Sequence, residues 1–310
     1  MAVKLVAAVC SDKGCVRQNN EDNFCLNGQY LEPEQRDAGG LKKCQTAGQA
    51  LFAVCDGMGG EEAGEEASLL ASKRIAESLK NNEALFEEDA LKKFFYGGCE
   101  AVYGYARKHG NRAGTTVAFL SAAGQGVRVA NMGDSRIYRL HQGRMEQISY
   151  DHTEMKRLLD MGRITPEQVK THPKRHMIYQ YWGMPLERAP FTPYISGVIP
   201  YAHMDRYLLC SDGLTDMLSD EAIASILTKA APVEQICQML VDQAKRNGGR
   251  DNVTVCVVEV HAPVTAPKPQ KSKTLKQLYT AKKLWTAVFY LLAAVDVYLV
   301  LEWIDWLLFH

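Results

Sequence analysis

The chain has no excess of either charge: 36 lysines and arginines balance 36 aspartates and glutamates in 310 residues. That argues against nucleic acid as a partner, since binding it normally takes a basic surplus. Any Cys-x-x-Cys pair is also missing. The nine cysteines stand at 10, 15, 25, 44, 55, 99, 210, 237 and 256. The total is odd, the spacing suits neither a zinc knuckle nor a disulfide framework, and most of these thiols lie in apolar runs as small hydrophobes. Met1 to Val6 lacks the apolar core of a secretory signal, so the expected setting is a reducing compartment. The length allows one large domain with an appendage.

What the chain does have is a set of acids at the ends of strand-like runs. Asp56-Gly57-Met58-Gly59-Gly60 follows the apolar run Leu51 to Cys55. Its glycines permit close backbone approach, so the Gly57 carbonyl and the Asp56 carboxylate can point to one place. Alone, this segment reads equally as a strand-to-helix turn with a solvated aspartate. Similar features recur, however, at Arg17-Gln18-Asn19-Asn20-Glu21-Asp22, Asn131-Met132-Gly133-Asp134-Ser135-Arg136, Cys210-Ser211-Asp212-Gly213 and Gly249-Arg250-Asp251-Asn252. A lone Asp-Gly after a strand is usually a hairpin turn. Here helical or irregular stretches follow, and the repetition points to one shared acidic site.

Strand patterns cover Lys4 to Cys10, Ala50 to Cys55, Thr115 to Ser121, Gly126 to Asn131, Arg136 to Leu140, Arg144 to Ile148, Arg206 to Cys210 and Val253 to Val260. Helical stripes cover Ala63 to Leu79, Asp89 to Lys108 and Pro232 to Arg246. Long helices among short strands predict a layered α+β domain over residues 1–262. Between 151 and 198 the pattern breaks into short pieces, including Thr165-Pro166-Glu167-Gln168, a capping box with proline at the first helical position. The basic group Lys174-Arg175-His176 in this region reads first as a solvated face.

Residues 263–283 are rich in Pro, Lys, Ser and Thr and read as a linker. Residues 284–301 are apolar except for Thr286 and Asp296; as a helix they would extend about 27 Å at ~1.5 Å per residue, nearly a bilayer core. Six lysines between 268 and 283 precede them, while Glu302 and Asp305 follow in the short tail 302–310. The expectation is a transmembrane helix with its N-terminal side cytoplasmic and Trp285 and Trp303 as interfacial anchors. Asp296 is costly in a membrane and points to pairing with another helix. An apolar helix docked on protein is the alternative.

Taken together, the motifs resemble the PPM (PP2C-like) family of metal-dependent protein Ser/Thr phosphatases, its bacterial branch most closely. The resemblance runs from about residue 5 to 260, through Ser11-Asp12-Lys13-Gly14 with Arg17 and Asn20-Glu21-Asp22, Asp56 to Gly60, Gly114-Thr115-Thr116, Gly133 to Arg136, Asp151-His152-Thr153, Ser211-Asp212-Gly213 and Arg250 to Thr254. It implies a β-sandwich covered on both faces by helices, with 151–198 as a mobile flap over one side of the active site. It also implies two Mn²⁺ or Mg²⁺ ions: Asp56 bridging both, Gly57 giving its carbonyl to one, and Asp212 and Asp251 completing the other. Glu21 and Asp22 would act through metal-bound waters, Asp22 orienting the nucleophile, and Asp134 with Asp212 matches positions that hold a third, weaker ion. Arg17 fits the phosphate-binding arginine, whose planar fork can hold two oxygens. At position 58, where many eukaryotic members carry a histidine proposed as general acid, this chain has methionine. Protonation of the leaving group then falls to a metal-bound water, with His152 a weaker candidate.

The residue types suit that chemistry. Phosphomonoester dianions repel nucleophiles, and two hard cations about 3.5–4 Å apart neutralise charge and activate water. Oxygen-only ligands favour Mg²⁺ or Mn²⁺ over zinc. The expected function is hydrolysis of phosphoserine and phosphothreonine in cytoplasmic proteins, opposing a Ser/Thr kinase from a membrane tether. Two alternatives stand beside it: a catalytically silent phosphoprotein-binding scaffold, against which the intact acids argue, and a partner-switching phosphatase for a single anti-sigma-type antagonist, for which no sensor domain is visible.

Overall fold

The structure, a computed structural model, describes residues 3–263 apart from 60–62, 82–84, 125 and 188–190. The strands are β1 (Lys4–Asp12), β2 (Asp22–Leu26), β3 (Gly40–Ala47), β4 (Ala50–Met58), β5 (Gly114–Thr115), β6 (Val117–Ala123), β7 (Gly126–Met132), β8 (Arg136–His141), β9 (Arg144–Gln147), β10 (Tyr194–Ile195), β11 (Ile199–Pro200), β12 (Arg206–Cys210) and β13 (Val253–His261). The helices are α1 (Ala63–Lys80), α2 (Glu88–His109), α3 (Glu154–Asp160), α4 (Pro166–Thr171), α5 (Asp212–Thr215), α6 (Asp220–Leu227) and α7 (Val233–Arg246).

Two antiparallel sheets form the centre. One runs β3-β1-β13-β12-β8-β9; the other runs β10-β7-β6-β4-β2, with β11 added to β7 and β5 to β4. Alternation along each strand sorts its side chains between two faces. Phe52 and Val54 of β4 pack with Val9, Tyr207, Cys256 and Val258 between the sheets. Leu51, Ala53 and Cys55 face α1 and α2 on the outside. On the other sheet Val253, Val255 and Val257 meet Ile236, Cys237 and Leu240 of α7. The result is a four-layer helix-sheet-sheet-helix arrangement, the layered α+β domain expected from the pattern in the sandwich form that the resemblance implied.

Several elements differ from the sequence expectation. β4 does not end before the acid; it continues through Asp56 and Gly57 to Met58. The expected strand from Thr115 is interrupted at Thr116, giving β5 and β6. β2 and β3 were not anticipated. β3 is an edge strand with alternating exposed and half-buried residues, including Lys42 and Lys43, and such charged edges carry little hydrophobic signal. All nine cysteines are free, and most are buried as the apolar runs suggested; Cys15 is exposed and Cys44 half-buried.

The region 151–198 contains α3, α4, the short strand β10 and loops. The capping box at Thr165 is present, with the Thr165 hydroxyl accepting from the Gln168 amide and the Gln168 side chain accepting from the Thr165 amide. The strongest anchor of this region is Trp182, fully buried against Phe94 and Phe95 at ring-centroid distances of 5.9 and 5.4 Å. It also bridges to Thr115 of β5 through paired backbone hydrogen bonds. Among the described residues no helix is long and apolar enough to cross a membrane. The expected membrane helix at 284–301, the tail 302–310 and all of the linker but Pro263 lie outside the described residues.

Candidate active site

Strand register brings the first two acids together. Asp22 opens β2 directly opposite Asp56 of β4, and both share the parity of the inward-facing Phe24 and Val54. Two carboxylates therefore stand where the space between the sheets runs out. The backbone around Asp56 is held by its neighbour strand: the Asp56 amide donates to the Thr116 hydroxyl at 3.0 Å, and its carbonyl accepts from the Thr115 hydroxyl at 3.0 Å. These are the threonines of the Gly114-Thr115-Thr116 motif.

Gly57 is required sterically. A Cβ there would lie 2.2 Å from the Gly64 carbonyl oxygen and 2.5 Å from that of Glu21. The Gly57 amide donates to the Glu21 carbonyl at 3.2 Å, and the Ser68 hydroxyl donates to the same oxygen at 2.6 Å. Helix α1 thus packs directly on the acidic loop. Gly133, at φ 104°, turns the chain from β7 toward Asp134, and a Cβ there would sit 2.6 Å from Thr116.

The other acids come from the opposite sheet. Asp212 follows β12 as the first residue of α5, and Asp251 lies just ahead of β13. Asn252 ties this sheet to the first loop: its side-chain oxygen accepts from the Glu21 amide at 2.8 Å, while its side-chain nitrogen donates to the Lys13 and Asn19 carbonyls at 3.0 and 2.8 Å. Ser211 donates to Asp22 Oδ2 at 2.7 Å and accepts from the Thr254 amide at 3.0 Å. Arg17 donates from Nη2 to Asp251 Oδ2 at 2.8 Å.

One cavity of about 680 Å³ is walled by Arg17, Glu21, Asp56, Gly57, Asp134, Asp212 and Asp251. Of the residues expected to hold metal or phosphate only Asp22 is absent from its surface; it stands opposite Asp56, 1 % exposed. Met58 lines the same cavity. His152 does not. Its Nε2 lies 3.2 Å from the Thr192 carbonyl and its Nδ1 3.4 Å from that of Gly133, in a buried position that ties the 151–198 region to the Gly133 turn.

Burial and mutual repulsion leave these carboxylates short of compensation. Burial pushes Asp22 up to about 7, against the hydrogen bond from Ser211, and Asp212 up to about 6, with Asp251 and Asp216 adding repulsion. Asp56 and Asp134 are raised well above the carboxylate range by burial, Asp56 also by Asp22 and Asp134 also by Asp212. Asp22 Oδ1 is buried without a hydrogen-bond partner. Unpaired buried oxygens and crowded acids are what multivalent cations relieve, and the all-oxygen donor set fits Mn²⁺ or Mg²⁺.

Two residues near the cavity were not assigned from sequence. His176 and Asp216 bring ligand atoms within 4.8 Å of each other and of Asp212. His176 stands in the basic triplet read as a solvated face; Asp216, which caps α5 one turn after Asp212, carried no motif of its own.

Comparison with known proteins decides the family. A model of the Protein phosphatase 2C family matches residues 33–246. The chain belongs to the protein phosphatase 2C family. It is similar to the Mycobacterium tuberculosis serine/threonine protein phosphatase PstP, 35% identical over 258 residues that make up 82% of this chain and 44% of PstP. It thus spans less than half the length of that relative. Listeria innocua serine/threonine phosphatase stp is 30% identical over 257 residues, 80% of this chain and 93% of stp. The crystal structure of the PstP catalytic domain in complex with two manganese ions superposes with a TM-score of 0.67 at 32% identity, covering 84% of this chain and 100% of that one. The protein phosphatase 2C α+β fold is common to both.

Proposed function

We propose that this chain hydrolyses phosphoserine and phosphothreonine in proteins, using two Mn²⁺ or Mg²⁺ ions and opposing a Ser/Thr kinase. The observation that carries this reading is the single cavity on which Arg17, Glu21, Asp56, Gly57, Asp134, Asp212 and Asp251 converge, with Asp22 buried behind it. The names of the similar proteins, serine/threonine phosphatases, support it. A silent scaffold would have no use for so many buried acids, which oppose folding unless something neutralises them.

Asp56, Gly57, Asp212 and Asp251, with Glu21 and Asp22, are the residues that would hold the two ions. Bound there, the ions supply charge neutralisation at the phosphoryl oxygens and a lowered pKa for attacking water. Asp134 and Asp212, flanked by His176 and Asp216, are the groups for a third. Asp22, fixed by Ser211, orients a water on the inner side. Arg17 takes the phosphate: its fork is half-exposed at the cavity rim, and the partner it holds, Asp251, is itself a metal-site residue. Met58 cannot donate a proton.

The expected assay outcome is release of phosphate from phosphothreonine peptides by the full-length protein in Mn²⁺ or Mg²⁺, little from phosphotyrosine peptides, and none in EDTA. Equal turnover in EDTA overturns the metal reading. The remainder of the proposal places residues 284–301 across a membrane, with the catalytic part cytoplasmic; its support is the apolar composition behind six lysines. Full-length protein should then resist alkaline carbonate extraction, and recovery in the soluble fraction without detergent overturns the anchor.

A further inference from the structure

A second depression opens off the acidic cavity on the side of α3 and α4. Asp134, His176, Asp212 and Asp216 line both, so the two are continuous. Its own volume is about 240 Å³, and its remaining wall includes Met155 and Leu159 of α3 and Val169 of α4. Met155 and Leu159 are four residues apart and share one face of their helix. Leu159 and Val169 stay half-exposed, although both are apolar and border a site rich in charge.

Of the charged groups on this wall, Asp134, His176, Asp212 and Asp216 lie on the side shared with the acidic cavity, and those nearest the aliphatic residues are paired. Arg136 donates from Nε and Nη2 to Asp151 at 2.9 and 2.7 Å, and Lys156 pairs with Asp160. What they leave open to a ligand is the aliphatic floor. An extended peptide advances about 3.3 Å per residue, so with a phosphorylated side chain in the acidic cavity, a neighbouring residue's side chain reaches the shared rim.

We infer that this depression is a specificity subsite that receives a bulky aliphatic side chain next to the phosphorylated residue, with Met155, Leu159 and Val169 as its floor. The inference rests on the phosphatase reading. It assigns the region over 151–198 a selective role beside the acids: leucine or isoleucine near the phosphothreonine gains apolar contact there, whereas alanine leaves the floor wet and lysine is drawn to Asp134, Asp212 and Asp216 instead of the floor.

The test is kcat/KM of the full-length protein in Mn²⁺ on matched phosphothreonine peptides carrying leucine, alanine or lysine at each of the two positions on either side, with p-nitrophenyl phosphate as an ester too small to reach the floor. Leucine should exceed alanine by about tenfold at one position. Val169→Trp, which fills the floor, should erase that preference while p-nitrophenyl phosphate turnover stays within about twofold. Leu159→Asn, which keeps a branched side chain but replaces its methyls with an amide, is the second variant should the first disturb folding, and it should weaken the preference in the same way. Equal kcat/KM for all peptides with the unaltered protein, or a preference that survives in the folded variants, overturns the subsite alone. Failure to hydrolyse any ester overturns the phosphatase reading, and the subsite with it.

Discussion

The acid cluster and the 151–198 region border the same depression but are built in opposite ways. Asp22 and Asp56 face each other across a continuous ladder, and Asn252, Ser211, Thr115 and Thr116 fix the surrounding backbone. Region 151–198 has two helices of seven and six residues. Its helical part joins the body through side chains and loops, at Trp182, at His152 and where Arg136 grips Asp151, and only its last residues, in β10, enter a sheet. Asp22 and Asp56 sit on paired strands that cannot shift singly; the apolar floor proposed to select a substrate sits on short helices.

That contrast can be broken in order of expected effect. Asp56→Asn or Asp251→Asn should lower kcat/KM by on the order of 10³-fold or more with the fold intact, because even partners one layer behind a metal cost ~10–100-fold. Activity of the folded variant near the starting level would detach the cluster from catalysis. On the other side, Trp182→Ala should destabilise by about 3–5 kcal/mol in chemical denaturation, as large aromatic truncations do. Trp182→Phe should cost much less, since it keeps most of the packing and removes an indole N–H that lacks a buried partner. Equal stability of all three proteins would show that this anchor is loose.

A smaller effect is expected at the rim. Arg17→Ala should raise KM for phosphopeptide about tenfold and lower kcat less, with lysine restoring only part, because a point charge cannot reproduce the guanidinium fork. An unchanged KM would make the contact with Asp251 purely structural.

The smallest is a pH effect on stability. Asp22 and Asp212, pushed up to about 7 and about 6 by burial, hold protons in the folded chain that an unfolded chain, with carboxyls near ~3.9, has released. In EDTA the folded state therefore binds more protons, and stability should fall as pH rises from about 4 toward 7. Calorimetry should show Tm several degrees lower at neutral pH than near pH 5, and Mn²⁺ should narrow the gap. A Tm that rises over this interval in EDTA would mean the carboxylates are already compensated.

The same contrast explains what could be read in the sequence. Asp56, Asp134, Asp212 and Asp251 announce themselves because each adjoins glycine or asparagine at the end of an apolar run, and register then makes their convergence unavoidable. The long helices were legible from their stripes. β2 was not, being five residues that open on Asp22-Asn23, nor was β3, whose lysines mask an edge strand. His176 escaped because it meets Asp212 only through the irregular stretch after α4, and no local pattern encodes that return; Asp216 lies one helical turn from Asp212 but without a glycine or asparagine beside it. Ser211 and Asn252 were visible as parts of motifs, but not as the groups that lock Asp22 and the Glu21 amide in place.

At Gly57 the packing has a genetic consequence. An aspartate at the site can change to glutamate in one step and keep its carboxylate, so those positions have a neighbouring alternative. A backbone carbonyl is encoded by no side chain, and every codon change that alters glycine adds a Cβ, which at this position would sit 2.2 Å from the Gly64 oxygen. Exchange at 57 therefore requires a compensating shift of the α1 start in the same lineage. This position is a dead end for single-step change and the point from which the rest of the site must vary.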